Sequence, residues 1–431
     1  MWSTLTCVIS RRLTSPALLL AAFLSIIPAG QAPIAEAAPS GGPADLARAA
    51  IAAPGAPIRV RPFDPAAPFG PGNASFKEVT GLDVHPDMLA RVCSQGPVGT
   101  VSLIDGTTQR VMLTAGHCLA AEDPTGMLYG RTVHAPVRGG YQQLGTIDLV
   151  HTNGLPSGYD TLGTSARKAL NAEDWGVVVL DEAAATDGAA SSRDKFGSAP
   201  STPVPMTGVR DYRALAPGEI AFDNFAQPIC KDGTMKGRKC GVQLFYTANN
   251  VWSWNLSYGT GDSGGINYDP NTGQIIGMTS LGMGPVGTAQ RADRALEQAY
   301  EIPEGDVNNR FTPAAPAPER ADFVSVEDEK NQFNQHIAEH NPGVTPEMLE
   351  PPTPRQQFDT AVSNAASDAA VIAGDIRDFA VVGTVAAASG VPLNEIADAG
   401  NTLANAVGTY AAAHATNIVN TGVYAAFEEL S

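Results

Sequence analysis

Positive charge is scarce in this chain. Its 431 residues include 27 lysines and arginines against 44 aspartates and glutamates, so the formal net charge is −17 at pH 7. A protein that binds a nucleic-acid backbone needs a basic face to replace the counterions of the phosphates. The charge balance therefore argues against a nucleic-acid partner. Most of the excess negative charge lies in the C-terminal part, because residues 317–431 carry 16 acidic and only 4 basic side chains.

Cysteine is also scarce, and metal-ligand spacings are missing. The chain has five cysteines, with no Cys-x-x-Cys pair and no histidine cluster beside them, so we expect neither a metal site nor another cofactor. Cys7 lies in a segment that we expect to be removed on export. The four cysteines that remain indicate disulfides in an exported chain, and they allow three pairings.

The apolar run near the N-terminus is too short for a membrane anchor, which needs about 20 residues. This run, residues 16–27, follows Arg11 and Arg12 and leads to Ala35-Glu36-Ala37. A basic start, a short apolar stretch and a small-residue exit are typical of a signal peptide. We therefore predict a signal peptide at residues 1–37 and a protein that is secreted or associated with the cell envelope. The Arg11-Arg12 pair leaves twin-arginine export open as the route.

Composition divides the next part of the chain into two regions. Residues 38–79 are rich in Ala, Pro and Gly, which favours a linker or a short pro-segment. Residues 80–313 contain short β-type runs separated by Gly, Asp and Asn, without helical periods between them. The clearest predicted strands are 101–104, 111–113, 176–180, 242–246 and 274–280. This pattern predicts an all-β domain, either a barrel or a sandwich.

The C-terminal part has a different pattern. We interpret residues 314–354 as a Pro-rich acidic linker and residues 355–431 as an Ala-rich helical region, because apolar residues recur there at three- and four-residue steps. Pro392, after Ser389-Gly390, is expected to separate two helices. One interpretation is a helical hairpin that packs on itself or on the rest of the protein. The alternative is a docking module for a cell-envelope partner.

Three motifs carry residues suited to nucleophilic catalysis. Thr114-Ala115-Gly116-His117-Cys118 supplies an imidazole, whose ordinary pKa lies near neutrality. Gly261-Asp262-Ser263-Gly264-Gly265 supplies a serine hydroxyl, which becomes a useful nucleophile when a base takes its proton. Asp174 opens an apolar run between them and could orient the imidazole. The chain order His, Asp, Ser is one of three known orders that build the same triad.

On these residues the chain resembles the trypsin/chymotrypsin-like serine proteases. The segment Cys230–Gly241 is similar to a short disulfide loop of the bacterial streptogrisin and alpha-lytic protease branch, and the likeness covers about residues 80–313. The resemblance implies an all-β fold of two six-stranded antiparallel barrels, here followed by an α-helical C-terminal region. It implies a catalytic triad in the cleft between the barrels, formed by His117, Asp174 and Ser263.

The resemblance also implies supporting roles. The N–H groups of Gly261 and Ser263 are expected to form the oxyanion hole. The chain lacks the Ile-Val-Gly-Gly start whose freed amine pairs with the acid before the nucleophile in trypsin-like zymogens. In the bacterial relatives a basic residue of the short loop takes that part, so we expect Lys231 to pair with Asp262; a solvated lysine is the alternative. The implied disulfides are Cys93–Cys118 and Cys230–Cys240.

Substrate contacts are inferred from the same likeness. The segment Thr279-Ser280-Leu281-Gly282 is similar to the family strand that pairs with an extended peptide, and the specificity pocket is expected to be lined by residues near Ser257, Tyr258 and 281–283. No acidic residue stands where trypsin-like enzymes bind Lys or Arg, which favours an apolar or small substrate side chain. The family's pocket disulfide is absent. The expected substrate-binding residues are Ser257, Ser280, Leu281 and Gly282.

The predicted function is a secreted serine endopeptidase that hydrolyses polypeptides through an acyl-enzyme. Two alternatives remain. One is a non-catalytic binding protein with a protease fold that acts in the cell envelope through its helical tail, and the loss of a triad residue would mark that class. The other is an esterase, which the relative turnover of peptides and esters would identify. The sequence does not indicate an oligomeric state.

Overall fold

The computed structural model describes most of the chain as two compact units. The described residues are 49–62, 77, 81–122, 127–156, 162–216, 218–283, 285–345, 348, 353–388 and 392–429. The predicted signal peptide and Cys7 lie outside them. One unit, here called the β unit, comprises Met1–Leu155 and Ala169–Pro351; the other, the helical unit, comprises Pro156–Lys168 and Pro352–Ser431.

Eight strands of the β unit form one antiparallel sheet. They are β1 (Pro57–Pro62), β2 (Arg91–Ser94), β3 (Val98–Ser102), β4 (Thr108–Thr114), β5 (Tyr129–Val137), β6 (Gly140–Asn153), β7 (Glu173–Leu180) and β17 (Phe311–Pro313). Their spatial order is β17-β3-β4-β7-β6-β5-β1-β2. β2 and β3 lie towards opposite ends of this order, yet only residues 95–97 join them. Since an extended residue spans at most about 3.6 Å, the sheet has to curl into a half-barrel.

The other large sheet is a closed six-stranded barrel. Its strands are β11 (Pro228–Asp232), β12 (Lys239–Tyr246), β13 (Asn250–Trp254), β14 (Ile266–Tyr268), β15 (Gln274–Met283) and β16 (Val286–Arg291). They pair in the order β15-β14-β11-β12-β13-β16, and β16 pairs back with β15. A short strand, β10 (Gly208–Val209), joins β15 in parallel, and β8 (Ala189–Ala190) pairs with β9 (Val204–Pro205).

The prediction of two six-stranded barrels is therefore met by only one of the sheets. The first sheet has eight strands, and among the described residues its edge strands β17 and β2 do not pair with each other. The difference arises because β1, from outside the predicted β domain, and the short β17 extend this sheet. The β-rich class and the antiparallel pairing expected from the sequence are present.

A shared core holds the two large sheets together. Val111 and Leu113 of β4 and Val177 of β7 belong to the same buried cluster as Ile266 of β14 and Met278 of β15. All five side chains are fully buried. The packing brings together the C-terminal half of β4, β7 and the turn before β14. These are the places that carry the three sequence motifs.

Short helices join the strands and a long pair follows them. They are α1 (Gly116–Leu119), α2 (Leu162–Asn171), α3 (Ala292–Tyr300), α4 (Val307–Arg310) and α5 (Val326–His340), with a short 3-10 helix at Pro86–Leu89. In the helical unit, α6 (Pro354–Ala388) and α7 (Leu393–Glu429) lie antiparallel, since Asp368 pairs with His414 at 3.1 Å and Gly400 lies beside Phe379. Among the described residues, none of the helices has the length and apolar character of a membrane span.

Residues 49–62, within the segment 38–79 that we interpreted as a linker or a short pro-segment, are folded as part of the β unit. β1 pairs with both β2 and β5, and Ile58 and Val60 are fully buried. Apolar residues alternate along this strand, so one of its faces is buried, although the Ala, Pro and Gly content around it is typical of a linker. Arg59, which points to the other face, is buried as well and forms an ion pair with Glu329.

The predicted acidic linker at 314–354 is also partly folded. Helix α5 begins after Ser325, whose side chain accepts a hydrogen bond from the Asp328 N–H, as an N-cap residue does. Ile337 of α5 is buried, and Glu329 accepts a hydrogen bond from the Tyr141 hydroxyl at 2.9 Å. Glu329, which falls in the predicted acidic linker, is therefore a buried ion-pair and hydrogen-bond partner.

Candidate active site

His117 and Asp174 are joined by two hydrogen bonds. His117 lies in α1, immediately after β4, and Asp174 is the second residue of the neighbouring strand β7. The His117 backbone N–H donates to Asp174 Oδ1 at 2.8 Å, and His117 Nδ1 lies 2.7 Å from Asp174 Oδ2. An ionised carboxylate can only accept, so Nδ1 carries the proton of this pair. The lone pair of Nε2 is then available to act as a base.

The environment of Asp174 keeps the carboxylate ionised. The side chain is fully buried, and the Ser280 hydroxyl donates to Oδ2 at 2.6 Å. Burial raises the pKa of Asp174, but the charge and hydrogen bonds of His117 and the Ser280 hydroxyl lower it by more. The net pKa lies below the ordinary value for an aspartate. At neutral pH the group is therefore an anion with three donors directed at it.

The pKa of His117 moves in the opposite direction. Burial lowers it, whereas the charge of Asp174 and the hydrogen bond to it raise it by more, and Arg91 opposes that rise in part. The net pKa lies above the ordinary 6.5. The imidazole side chain remains 34% exposed, so solvent and substrate can reach the ring. A base with a pKa near the working pH is suited to proton transfer.

Two consecutive turns shape the loop that carries Ser263. The Asp262 N–H donates to Gly259 O, and the Gly265 N–H donates to Asp262 O, both at 2.9 Å. The third residue of each turn is a glycine with positive φ, namely Gly261 at 106° and Gly264 at 81°. This pattern is that of type II turns, which need a glycine at the third position. The sequence Gly-x-Gly-Asp-Ser-Gly-Gly is thus explained by local backbone geometry.

The turns leave two backbone donors unused. Within the described part of the chain, neither the Gly261 N–H nor the Ser263 N–H has an acceptor. These are the two groups expected to form an oxyanion hole. Because unpaired amide donors are costly unless water or a ligand meets them, the arrangement fits a site that receives an oxygen atom.

The Ser263 loop lies against the segment that leads to His117. The Ser94 N–H donates to Ser263 O and the Ser94 hydroxyl to Gly261 O, each at 2.8 Å. A methyl group added at Gly264 would collide with the side chain of Thr114, which ends β4. Among the described residues the Ser263 hydroxyl makes no hydrogen bond, so the Asp–His link is formed and the His–Ser link is not.

Asp262 anchors the same loop from below. Its buried carboxylate accepts hydrogen bonds from Lys231 Nζ at 2.7 Å and from the N–H groups of Gly259, Met235 and Lys236 at 3.0, 2.9 and 3.1 Å. The Lys231 side chain is only 1% exposed. Lys231 is therefore not a solvated lysine, and its charge is balanced by Asp262, the residue before Ser263.

Two disulfides brace these segments. The structure joins Cys93 to Cys118 and Cys230 to Cys240, the pairing implied by the family resemblance. The first links β2 to the residue after His117. His117, Cys93 and Cys118 also place their potential ligand atoms within 4.8 Å of one another, but both sulfurs are in a disulfide. This group therefore does not offer the thiolates that a metal ion needs.

The predicted substrate-binding residues have different positions. Ser280 directs its hydroxyl to Asp174, and its part in binding a substrate through the backbone stays a prediction. The Leu281 N–H donates to Thr288 Oγ1 at 3.2 Å. Gly282 lies against the side chain of Tyr258, and Ser257 has a left-handed backbone with φ of 44°.

Sequence reasoning missed two residues that position the site. Gln290 of β16 accepts a hydrogen bond from the Asp174 N–H at 2.8 Å, across a separation of 116 residues. Ser94 of β2 holds the Ser263 loop, as described above. Neither lies in a motif or in a strand predicted from the sequence, so no sequence signal marked them. Strand pairing alone brings them to the site.

No protein-family model matches the sequence, and no curated protein matches it. Several solved structures align with about half of the chain. Protease A of Thermobifida fusca aligns at 19% identity over 48% of this chain and 89% of its own, with a TM-score of 0.31. A chymotrypsin of Cellulomonas bogoriensis aligns at 16% identity over 58% and 96%, with a TM-score of 0.31. A glutamic acid specific serine protease aligns at 15% identity over 57% and 97%, also at 0.31. Scores this low carry no argument about activity.

Proposed function

We propose that this chain is a secreted serine endopeptidase of the trypsin/chymotrypsin type, with His117, Asp174 and Ser263 as its catalytic triad. The observation that carries the proposal is the 2.7 Å hydrogen bond between His117 Nδ1 and Asp174 Oδ2, made by a carboxylate that has no exposed surface. This arrangement fixes the tautomer of the ring and leaves Nε2 facing outward as a base.

A buried Asp–His pair can also be purely structural, and three features favour catalysis. The ring of His117 keeps a third of its surface exposed. Its Nε2 has no partner among the described residues. The loop packed beside it presents the Ser263 hydroxyl together with two unused amide donors. A structural pair would have no need of the last two features.

The reaction would proceed in two balanced steps. Ser263 Oγ attacks the carbonyl carbon of the scissile peptide while His117 Nε2 takes the hydroxyl proton, and the carbonyl oxygen becomes an anion held by the N–H groups of Gly261 and Ser263. The C–N bond then breaks as His117 returns the proton to the leaving amine, which leaves an ester on Ser263. A water molecule, deprotonated by the same nitrogen, hydrolyses that ester and restores the hydroxyl.

Substrate binding has a further part in this scheme. The hydrogen bond between Ser263 and His117 is absent here, and catalytic hydrogen bonds often form fully only when substrate is bound. We propose that the hydrogen bond between Ser263 and His117 forms when a peptide pairs along β15. We further propose that Lys231, through Asp262, holds the Gly261 N–H in position without proteolytic activation.

Labelling with a fluorophosphonate tests the proposal directly, because the reagent modifies only a serine that a neighbouring base activates. We expect the purified protein to be labelled at Ser263, and the variants Ser263→Ala and His117→Ala to remain unlabelled. Ser198→Ala and His85→Ala, two exposed positions away from the site, serve as matched controls and should label like the wild type. An unlabelled wild type with intact folding would support the non-catalytic alternative, and label without peptide turnover would support the esterase.

We also propose that the protein acts outside the cytoplasm. Two disulfides are typical of chains that fold in an oxidising compartment, and they agree with the predicted signal peptide. N-terminal sequencing of protein recovered from a secreting culture should then begin after Ala37. The helical unit carries none of the proposed catalytic residues, and its docking to a cell-envelope component stays a prediction.

A further inference from the structure

The side chain of Tyr258 occupies the space above two facing glycines. Gly282 of β15 pairs directly with Gly287 of β16. A methyl group added at Gly282 would collide with Cβ and Cγ of Tyr258, and one added at Gly287 would collide with Cε2 and Cζ. The ring therefore lies flat along this glycine pair. A side chain at either position would exclude it.

Several contacts hold the ring in this place. The Tyr258 hydroxyl and Ser253 Oγ lie 2.7 Å apart, within hydrogen-bond distance. Asn255 and Ser257 both have left-handed backbones, with φ of 69° and 44°, and these two bends turn the chain just before the tyrosine. Lys231 Nζ lies 5.7 Å from the ring centroid. Burial raises the pKa of Tyr258, and the partly buried ring packs against the core cluster that contains Leu256.

The position of the ring relates it to the proposed catalytic site. Tyr258 lies five residues before Ser263 in the same loop. Gly282 lies two residues after Ser280, whose hydroxyl binds Asp174, on the strand expected to pair with substrate. If a peptide pairs along β15 as proposed, the side chain of its residue before the scissile bond would enter the space along the glycine pair. In this protein that space is already filled.

We propose that Tyr258 is a specificity-determining residue that fills the primary specificity pocket, so that the enzyme cleaves only after glycine or alanine. The inference rests on the proposed function. A larger substrate side chain would have to displace the ring and break its contact with Ser253. Close-packed interiors tolerate such insertion poorly, so the pocket accepts at most a methyl group. From the sequence we expected an apolar or small substrate side chain before the scissile bond, and the position of Tyr258 restricts this expectation to small side chains.

Peptide anilides that differ only in the residue before the scissile bond test this specificity. With glycine, alanine, leucine and phenylalanine at that position, the wild type should prefer alanine to phenylalanine by at least about 100-fold in kcat/KM. Each methylene that a pocket must reject or accept alters the rate by roughly 10- to 200-fold. Tyr258→Ala should reverse the preference, whereas Tyr258→Phe, which keeps the ring, should retain that of the wild type. Equal cleavage after alanine and phenylalanine by the wild type would overturn the proposal.

A second experiment tests the ring contact without any activity. Gly287→Ala should lower the melting temperature clearly in the wild-type background, because the new methyl meets the ring. In the Tyr258→Ala background the same change should lower the melting temperature by less, because only the contact of the new methyl with Leu281 O remains. If Gly287→Ala lowers the melting temperature equally in the wild-type and Tyr258→Ala proteins, the ring does not lie on the glycine pair. Fluorophosphonate labelling of Ser263 separates the two proposals: if labelling occurs but the specificity is broad, only the role of Tyr258 is wrong.

Discussion

Replacing Lys231 with methionine should weaken both the fold and the oxyanion hole. The Lys231 ammonium lies 2.7 Å from Asp262 Oδ2, and neither side chain is more than 1% exposed. Methionine has a similar length and no charge, so the change removes the partner of a buried carboxylate while leaving most of the packing. Asp262 then keeps only its three backbone donors, described above.

The magnitude can be worked from these contacts. Two unit charges about 4 Å apart interact by roughly 4 kcal/mol at an effective dielectric constant near 20, and breaking a buried pair by removing one partner costs about 3–5 kcal/mol. Because three N–H donors still solvate the carboxylate of Asp262, we expect a loss of about 3 kcal/mol in the free energy of unfolding. If the Gly259–Asp262 turn then loosens, the Gly261 N–H is displaced, and the loss of one oxyanion donor lowers kcat by about 100- to 1,000-fold.

Urea unfolding followed by tryptophan fluorescence measures the first effect, since Trp175, Trp252 and Trp254 all lie in the β unit. The midpoint should fall with an unchanged slope. Lys239→Met is the matched control, because Lys239 pairs with Lys231 across β11 and β12 but is exposed; it should alter the free energy by at most about 0.5 kcal/mol. If Lys231→Met resembles this control in stability, or keeps full activity in the folded state, the proposed role of the ion pair is wrong.

Three further predictions concern the triad and the second disulfide. Asp174→Asn should lower kcat by about 10⁴-fold, because the ring loses its fixed tautomer; a loss below tenfold in peptide assays would contradict this role. Since activity needs a neutral imidazole and Asp174 raises the pKa of His117, kcat/KM should rise with pH through a midpoint above 6.5 in the wild type and at a lower pH in Asp174→Asn; identical profiles would be the contrary result. The same shift makes the His117–Asp174 contribution to stability fall as pH rises through the folded-state pKa of His117. Replacing Cys230 and Cys240 together by serine should cost about 2–3 kcal/mol for a ten-residue loop, measured by urea unfolding, and an unchanged midpoint would refute that estimate.

Much of the candidate site could be predicted because its signals are local. The Ala-Gly-His-Cys and Gly-Asp-Ser-Gly-Gly motifs mark positions where the backbone itself is constrained. Gly261 and Gly264 are glycines because the turns around Ser263 require positive φ. The predicted strands at 111–113 and 176–180 lie inside β4 and β7, since apolar β-type runs bounded by turn residues need no distant partner to be recognised.

The errors have a common physical cause. Residues 49–62 and 314–340 looked like linkers by composition, but β1 lies between β5 and β2 in the first sheet, and Glu329 of α5 pairs with Arg59 of β1. The two partners of that pair are 270 residues apart. A short segment with alternating apolar residues, or a segment rich in acidic residues, becomes buried only when a distant part of the chain packs against it. The local sequence does not show whether this happens.

The amino-acid sequence by itself determined the chemistry available to this protein, since an imidazole, a carboxylate, a hydroxyl and glycine turns are properties of residue types and their neighbours. Only the tertiary structure brings three distant residues to Asp174: its carboxylate accepts from His117 and Ser280, 57 and 106 residues away, and its N–H donates to Gln290, 116 residues away. It also decided that Tyr258 lies on the Gly282–Gly287 pair. The reason is that turn geometry is set within a few bonds, whereas these contacts exist only after strand pairing and core packing have brought distant segments together.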